Sequence, residues 1–396
     1  MAKIGVYGGT FNPPHLGHIL AAREFQRVLD LDLLLFVPVY LPPHKKLPPD
    51  TPDATRRLEL LRLATEDVPF ALVDDLEFRR AGASYTVETL RALRERYPRD
   101  QLYLCMGTDM LLSFDSWYHP KEICSLAQVV MAHRADAEES ALEEYAGTFK
   151  KRYGKAPIFI PNDFIEISST TVRRLLILGG AADDLDSKVY GRILELGLYG
   201  TGRNRKHLPF DQLKQESLQL HNESRVNHVV GCSETAVALA KCHGANVEDA
   251  ARAGILHDVT KALSGAEQLH LCRTHGIIVD DFLKTHTKLL HAPTAAAVAD
   301  HVFGENEAVC QAIRWHTSGR ANMTTLEKII YVADYMEPNR DFPGVEELRR
   351  LAYSDLDAAL LLGLEMTRDH LAQQGAPMGK DSMEAMAFLR QGKDVP

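Results

Sequence analysis

Through its first half the chain alternates short apolar runs with longer amphipathic stretches. Residues 3–7 (KIGVY), 33–39 (LLLFVPV), 70–76 (FALVDDL), 101–107 (QLYLCMG), 127–133 (AQVVMAH) and 158–161 (IFIP) read as strands, the first of them short and buried. Between them, residues 16–29, 54–64 and 86–97 read as helices, and 174–178 as another. Gly8 and Gly9 break the first strand, and the stretch 41–52 is too rich in proline to be regular. Strands alternating with helices predict an α/β domain built on a doubly wound parallel sheet.

Near residue 200 the pattern changes. The segment YGTGRNRK (199–206) is basic, glycine-containing and weakly structured, as a linker is. Beyond it, stretches rich in Ala, Leu and Glu keep helical spacing almost to the end, for example 234–243, 247–256, 294–302 and 326–335. The expected organisation is an α/β domain over 1–202, a linker over 203–207 and an all-α helical bundle over 208–396. The halves share no internal repeat.

Composition narrows the class. With 45% hydrophobic and 25% charged residues, the chain is neither collagen-like nor disordered. Its 45 Lys and Arg against 54 Asp and Glu leave a net charge of −9, which excludes bulk, sequence-independent nucleic-acid binding, since that needs a basic face. Small phosphorylated ligands need only a few local cations and stay open. No apolar stretch is long enough to cross a membrane, and the start MAKIGVYGGT lacks the apolar run of a signal peptide, so a cytoplasmic protein is expected. The six cysteines form no CxxC pair and read as small buried hydrophobes in a reducing compartment. Histidine is uneven: of 17, five precede residue 200, which suggests two halves of different chemistry and metal binding in the second.

The turn GGTFNPPHLGH (8–18) joins the first strand to the first helix. Ligands of open α/β sheets sit at the carboxyl ends of strands. Glycines let backbone approach a phosphate, and the new helix offers unpaired N–H groups and a positive dipole end. His15 and His18, three apart on the first turn, can face the same anion. A second such element is ISSTTVR (167–173), whose Ser168, Ser169 and Thr170 suit a helix N-terminus and whose Arg173 suits the far end of a polyphosphate.

Together these two segments resemble the HxGH nucleotidyltransferases, over essentially all of 1–200. A bare HxGH also fits pantetheine-phosphate adenylyltransferases, cytidylyltransferases and class I aminoacyl-tRNA synthetases. The segments Pro42-Pro43-His44-Lys45, Ser84-Tyr85-Thr86 and Met106-Gly107-Thr108-Asp109, with Trp117 and Ala132-His133-Arg134, make the finer resemblance to the bacterial nicotinate-mononucleotide adenylyltransferases. That resemblance implies adenylyl transfer from ATP to nicotinate mononucleotide, giving deamido-NAD and pyrophosphate for NAD biosynthesis, with Mg²⁺ accompanying ATP. It implies catalytic roles for His15, His18 and Arg173. ATP would be bound by Gly8, Gly9, Thr10, Phe11, His18, Gly107, Asp109, Ser168, Ser169, Thr170 and Arg173. The mononucleotide would be bound by His44, Lys45, Tyr85, Thr86, Trp117 and Arg134, with Trp117 stacked on the nicotinate ring. The attacking group is the phosphate of the mononucleotide, already ionised near neutral pH, so no Ser or Cys nucleophile is required.

In the second half, His228 (RVNHVVG), His257-Asp258 at the end of AARAGILHD, His291 (LLHAP), His316 (RWHTSG) and Asp334 (YVADYMEPNR) each lie on or near an expected helix. In a bundle they can point into one pocket. Imidazole and carboxylate together suit Fe, Zn, Mn or Co rather than calcium. Lys261, three after Asp258, is expected on the same helical face. Arg320 and Arg340 are further candidates for clamping phosphate. His207, His221, His243, His270, His275, His286, His301 and His370 fit no shared pattern and read as structural or exposed.

The ordered set H…HD…H…H…D resembles the HD-domain phosphohydrolases of the two-metal kind. The segments RVNHVVG, HDVTK, LLHAP, WHTSGR and IIYVADYMEPNRDFPGV carry the resemblance over about 208–390 to the bacterial HD enzymes that split diadenosine tetraphosphate symmetrically into two ADP, a family associated with iron. It implies that His228, His257, Asp258 and Asp334 bind one metal, that Asp258 bridges, and that His291 and His316 complete the second. Asp258 and Lys261 would be catalytic, and water activated by the metals would attack phosphorus. Two alternatives stay open for this half: hydrolysis of guanosine tetraphosphate, deoxynucleotides or phosphomonoesters, and a nucleotide-sensing module that regulates the first half.

Overall fold

The computed structural model describes residues 1–42, 46–80, 84–107, 110, 113–134, 139–162 and 167–391, without the side chains of 133, 134, 139–142 and 162. The chain divides into two compact units, Met1–Ile177 with Ala181–Arg203, and Leu178–Gly180 with Asn204–Pro396.

Among the described residues the first unit has six strands: β1 (Lys3–Gly9), β2 (Leu33–Pro38), β3 (Ala71–Val73), β4 (Gln101–Met106), β5 (Gln128–Arg134) and β6 (Ile158–Asn162). All pair in parallel, in the order β3-β2-β1-β4-β5-β6. The helices are α1 (Leu16–Leu29), α2 (Ala54–Thr65), α3 (Thr86–Arg96), α4 (Pro120–Leu126), α5 (Glu139–Tyr153), α6 (Ser169–Ile177) and α7 (Ser187–Glu195). The central strands are apolar along their middle because both faces are covered. On one face, Ile4, Val6, Leu35, Val37 and Leu104 pack in one core with Val87, Leu90 and Leu93 of α3. On the other, Tyr7 meets Phe36 and Phe25 of α1, with ring centroids 5.5 and 5.6 Å away.

The strand expected over 70–76 shrinks to three residues. The Asp74 carboxylate accepts from the Leu76 amide at 3.1 Å and pairs with Arg96, which turns the chain into a short 3₁₀ segment, Leu76–Arg79. Strand order reverses between β1 and β4, so their carboxyl ends flank the crevice in which sheets of this type take ligands.

The second unit is helical, and it contains no strand among the described residues. Its helices are α8 (Phe210–Leu218), α9 (Glu223–His243), α10 (Val247–Leu256), α11 (Gly265–Thr274), α12 (Asp281–Thr285), α13 (His291–His301), α14 (Glu307–Arg314), α15 (Thr325–Met336), α16 (Val345–Ala352), α17 (Leu356–Gln373) and α18 (Lys380–Gln391). α9 begins at Glu223 rather than at 234, because its first turns carry Arg225 and His228 in place of an apolar stripe. Asn246 caps α10 by accepting from the amides of Glu248 and Asp249 at 2.9 and 3.1 Å. α9 and α10 approach closely at a glycine: a Cβ on Gly254 would lie 2.6 Å from Cα of Ser233. The Ser233 hydroxyl donates to the Ala251 carbonyl at 2.9 Å across the same contact.

Five of the six cysteines are buried as expected, but Cys242 is exposed near the end of α9. Among the described residues no helix is long and apolar enough to cross a membrane.

Gly254→Ala should therefore destabilise the protein by about 2 kcal/mol, because a backbone atom stands where the methyl must go. Gly147→Ala in α5, whose Cβ would meet nothing within 4 Å, should be neutral or slightly stabilising. Urea unfolding of the two variants beside the parent checks this.

Candidate functional sites

The first site is built where β1 gives way to α1. His15 caps α1 in extended conformation, and its backbone N–H donates to Nδ1 of His18 at 3.1 Å. A neutral His18 ring therefore carries its proton on Nε2. The two rings lie 3.7 Å apart. A Cβ on Gly17 would stand 3.0 Å from Nδ1 of His15, so a side chain there would press on that ring. Burial, with His18 beside it, lowers His15 well below the ordinary histidine range, and burial brings His18 down to about 4. Both rings are neutral near pH 7 and offer an anion N–H donors rather than charge. The Phe11 ring is buried against Tyr7, Phe36 and His18, which leaves its backbone for a ligand.

The start of α6 is pinned to this turn. Ser168 Oγ accepts from the Thr171 amide at 3.0 Å, and Ser169 Oγ donates to the Pro13 carbonyl at 2.9 Å. Arg173 donates to the Asn12 carbonyl at 2.6 Å, and to the Ser169 carbonyl and Thr170 Oγ1, both at 3.1 Å. Two helix N-termini and the guanidinium thus meet at the carboxyl end of β1. Arg57 was not legible in the sequence, because one arginine in ATRRLELLR carries no mark of burial. It is 1% exposed and donates to the carbonyls of Thr10 and Val39, both at 2.8 Å, and of Tyr40 at 3.1 Å, tying the exits of β1 and β2 together.

A cavity of about 280 Å³ opens beside the turn, lined in part by Gly8, Gly9, Thr10, Tyr85, Thr86 and Trp117. Gly107 follows Met106 of its wall, with nothing within 4 Å of where a Cβ would stand. Tyr85 and Tyr118 have centroids 4.8 Å apart, and Trp117 Nε1 donates to Ser113 Oγ at 3.3 Å. His44, Lys45, Asp109 and the Arg134 side chain lie outside the described residues.

The second site is assembled largely from helix ends. His257 follows α10, His291 opens α13, His316 follows α14, His228 lies on α9 and Asp334 on α15. The Nδ1 atoms of His257, His291 and His316 face the carbonyls of Gly254, Lys288 and Ile313 at 2.8, 2.5 and 2.6 Å. In each case the ring turns back on the carbonyl three residues earlier. His228 Nδ1 faces Oε1 of Glu337 at 3.1 Å. In a neutral ring with the proton on Nδ1, each Nε2 presents its lone pair inward, and that of His291 is also met by Lys261 Nζ at 2.9 Å.

Those lone pairs converge on Asp258. Its Oδ2 lies 3.6 and 3.5 Å from Nε2 of His228 and His257, and its Oδ1 lies 3.3 and 3.7 Å from Nε2 of His291 and His316. Asp334 Oδ1 stands 3.2 Å from His228 Nε2 and 3.8 Å from His257 Nε2. The six residues singled out in the sequence are all brought together, with one oxygen of Asp258 facing each pair of histidines. The Nε2 atoms of His228 and His257 are buried without a hydrogen-bond partner. Orphaned imidazole lone pairs facing carboxylate oxygens are the donor set of a divalent transition metal. Burial pushes the Asp258 carboxyl up, but His257 with His228 and His316 outweighs it and holds the group well below the carboxylate range. Burial, with His316 and Lys261, lowers His291 to about 3.

Lys261 does not share a helical face with Asp258. α10 ends at Leu256, and 257–262 is a run of turns in which the His257 ring bonds back to the Gly254 carbonyl. Its Nζ instead stands 2.9 Å from Nε2 of His291. Arg340 donates to Asp334 Oδ1 at 2.7 Å. Arg320 is tied to the buried Glu327 carboxylate at 2.8 and 3.1 Å, so its charge is already compensated.

Three residues of this site escaped the sequence reading. Arg225 pairs with Asp258 Oδ2; its spacing three before His228 on α9 was a usable signal. Glu337 is 1% exposed and orients His228, and a Cβ on Gly231 would stand 2.6 Å from its Oε2. His221, set aside as structural or exposed, is held to about 4 by burial and by His257.

Residues 6–175 match the cytidylyltransferase-like family, and residues 225–339 match the HD domain family. The chain is 34% identical over 177 residues to a probable nicotinate-nucleotide adenylyltransferase of Borreliella burgdorferi, covering 45% of this chain and 86% of that one. It is 44% identical over 162 residues to a symmetrical bis(5'-nucleosyl)-tetraphosphatase of Halalkalibacterium halodurans, covering 41% of this chain and 86% of that one. A solved structure of a predicted HD superfamily hydrolase involved in NAD metabolism, from Clostridium acetobutylicum, is 36% identical, covering 47% of this chain and 98% of that one with a TM-score of 0.46.

Two measurements follow from the geometry. Imidazole NMR should find His18 protonated on Nε2 at neutral pH and titrating at about 4. The ring's folded value is depressed below the ordinary 6.5, so its contribution to stability is full above 6.5 and is lost as pH falls through about 4. Glu337→Gln should weaken divalent-metal binding by roughly tenfold or more, read by competition with a chromogenic chelator. Glu346→Gln, at a carboxylate 81% exposed, should leave it unchanged.

Proposed function

We propose that this chain, which belongs through its first half to the nicotinate-nucleotide adenylyltransferase family and through its second to the HD-domain family, is a bifunctional enzyme acting on adenine nucleotides. Residues 1–202 form the adenylyltransferase, 203–207 the linker and 208–396 the metal-dependent phosphohydrolase. Free buried cysteines fit a reducing compartment, and the cytoplasm is the proposed location.

In the first half the reaction is ATP plus nicotinate mononucleotide giving deamido-NAD and pyrophosphate. The observation that carries this reading is the meeting of His15, His18 and Arg173 at two helix N-termini beside a cavity walled by Tyr85, Thr86 and Trp117. A phosphate oxygen of the mononucleotide attacks the α-phosphorus of ATP, and the bond to the β-phosphate oxygen breaks. The neutral histidine N–H groups, backbone amides of the Gly8–Thr10 turn and the Arg173 guanidinium stabilise the charge that develops. Ser168, Ser169 and Thr170 would hold the triphosphate, with Lys45 near it. Gly107 and Asp109 would hold the ribose, and His44 and Arg134 the mononucleotide. Mg²⁺ enters with ATP rather than in a dedicated protein cage.

In the second half the reaction is symmetrical hydrolysis of diadenosine tetraphosphate to two ADP. What carries it is the split of Asp258 between two pairs of histidines, with Asp334 beside the first. The residues fit two divalent ions. His228, His257, Asp258 and Asp334 would hold one, and His291 and His316 would complete the other around Asp258. Iron is the proposed metal, and Mn, Co and Zn suit the same donors. The metal pair supplies the acidity that makes water nucleophilic near neutral pH. Lys261 and Arg340, both touching the cluster, supply positive charge for the polyphosphate.

In the full-length protein His18→Ala should abolish adenylyl transfer and leave hydrolysis intact, while Asp258→Ala should do the reverse and lower the metal content. Loss of both activities in either folded variant would overturn the two-site reading. Anaerobic incubation with Fe²⁺ or Mn²⁺ and diadenosine tetraphosphate should give ADP alone on ion exchange. ATP plus AMP would refute symmetrical cleavage, and no turnover would refute the substrate.

A further inference from the structure

The wall of the first cavity holds an acidic group that the mechanism above does not use. Glu77, in the segment Leu76–Arg79, is 5% exposed and lines the same cavity as Tyr85, Trp117 and Tyr118. Its Oε1 accepts from the Thr89 hydroxyl at 2.6 Å. Arg80 donates to that hydroxyl at 2.8 Å, yet its ion pair, at 3.8 Å, is with Glu88. Among the described residues no cation pairs with Glu77, and its Oε2 is buried without a hydrogen-bond partner. A carboxylate in this state is costly unless a ligand completes it.

The rest of the wall indicates which ligand. Tyr85 and Tyr118 pack 4.8 Å apart, and Trp117 lines the same space. Aromatic faces combined with a carboxylate suit a delocalised organic cation better than a neutral donor. The mononucleotide proposed above carries one: its ring nitrogen is bonded to ribose, so the ring is a pyridinium with a charge that no change of pH removes.

We propose that Glu77 is a specificity-determining residue of the first site, the uncompensated charge of its carboxylate matching the positive charge of the pyridinium ring. The proposal rests on the adenylyltransferase reading and deepens it. It also orients the substrate, because the ring carries a carboxylate of its own that Glu77 repels. The charged nitrogen side turns toward Glu77 and the carboxylate substituent turns away. Thr89 and Arg80 are positioning residues that hold the Glu77 carboxylate.

The test compares nicotinate mononucleotide with its 1,4-dihydro form, which has the same substituents on a neutral ring, by titration calorimetry on the full-length protein. The parent should bind the pyridinium form roughly tenfold more tightly. Glu77→Gln, which keeps an acceptor for Thr89, should shrink that preference to about twofold or less while leaving the KM for ATP unchanged. Equal affinity of the parent for the two forms, or a preference untouched in the variant, would overturn the proposal, and the first comparison needs no variant to fold. Conversion of ATP and nicotinate mononucleotide to the dinucleotide is assayed alongside. Failure of that conversion with the pyridinium preference intact counts against the reaction and not against Glu77.

Discussion

Asp258 has two oxygens and almost no access to water, and the second unit is organised around giving each oxygen partners. A carboxylate so buried is tolerated only where opposite charge or a metal compensates it. The histidines that face it are aimed by the backbone, since three of the four bind the carbonyl three residues before them. This fixes which nitrogen carries the proton and leaves the other toward Asp258. Gly254 contributes twice: its carbonyl holds the His257 ring, and its missing side chain lets α9 approach α10 and bring His228 to Asp258.

The first site solves the opposite problem. There the two buried imidazoles are neutral, and Gly17 lets the backbone pass close to the His15 ring. Positive potential comes from Arg173 and from helix N-termini, whose unpaired amides are an anion site without further side chains. Arg57 sits behind that surface with both terminal nitrogens of its guanidinium bound to backbone carbonyls, so it shapes the loop that presents the amides.

What the sequence made legible follows from these two designs. Strands covered on both faces are apolar along their middle, so β1, β2, β4 and β5 stood out. The strand over 70–76 was overread because VDDL looks apolar enough to continue, while Asp74 in fact folds back on the Leu76 amide. The metal-type cluster was legible because the spacing and order of its histidines and aspartates along the chain carried the resemblance. Lys261 was misplaced because the helix was extended past Leu256, where α10 ends and a run of turns begins. Arg57, Glu77 and Glu337 were not legible, since a charged residue that folding buries is spelled like one left in solvent. Only the three-dimensional accounting of donors and acceptors distinguishes them.

The contrast between the two residue sets has one chemical origin if both proposed reactions hold. In adenylyl transfer the nucleophile arrives as a phosphate already ionised near neutral pH. The protein therefore has no proton to remove, and neutral histidines with one arginine suffice to hold charge that moves from one phosphate to another. In hydrolysis the nucleophile is water, which is far from ionised at that pH, so a stronger acid than any side chain must act on it. That requirement accounts for the four imidazoles and two carboxylates gathered at Asp258, and for the shared orientation that turns each Nε2 inward. It also accounts for the location of the buried charge. The first unit can leave its anion site to backbone dipoles. The second must bury two carboxylates close together, and it surrounds them with Arg225, Lys261 and Arg340.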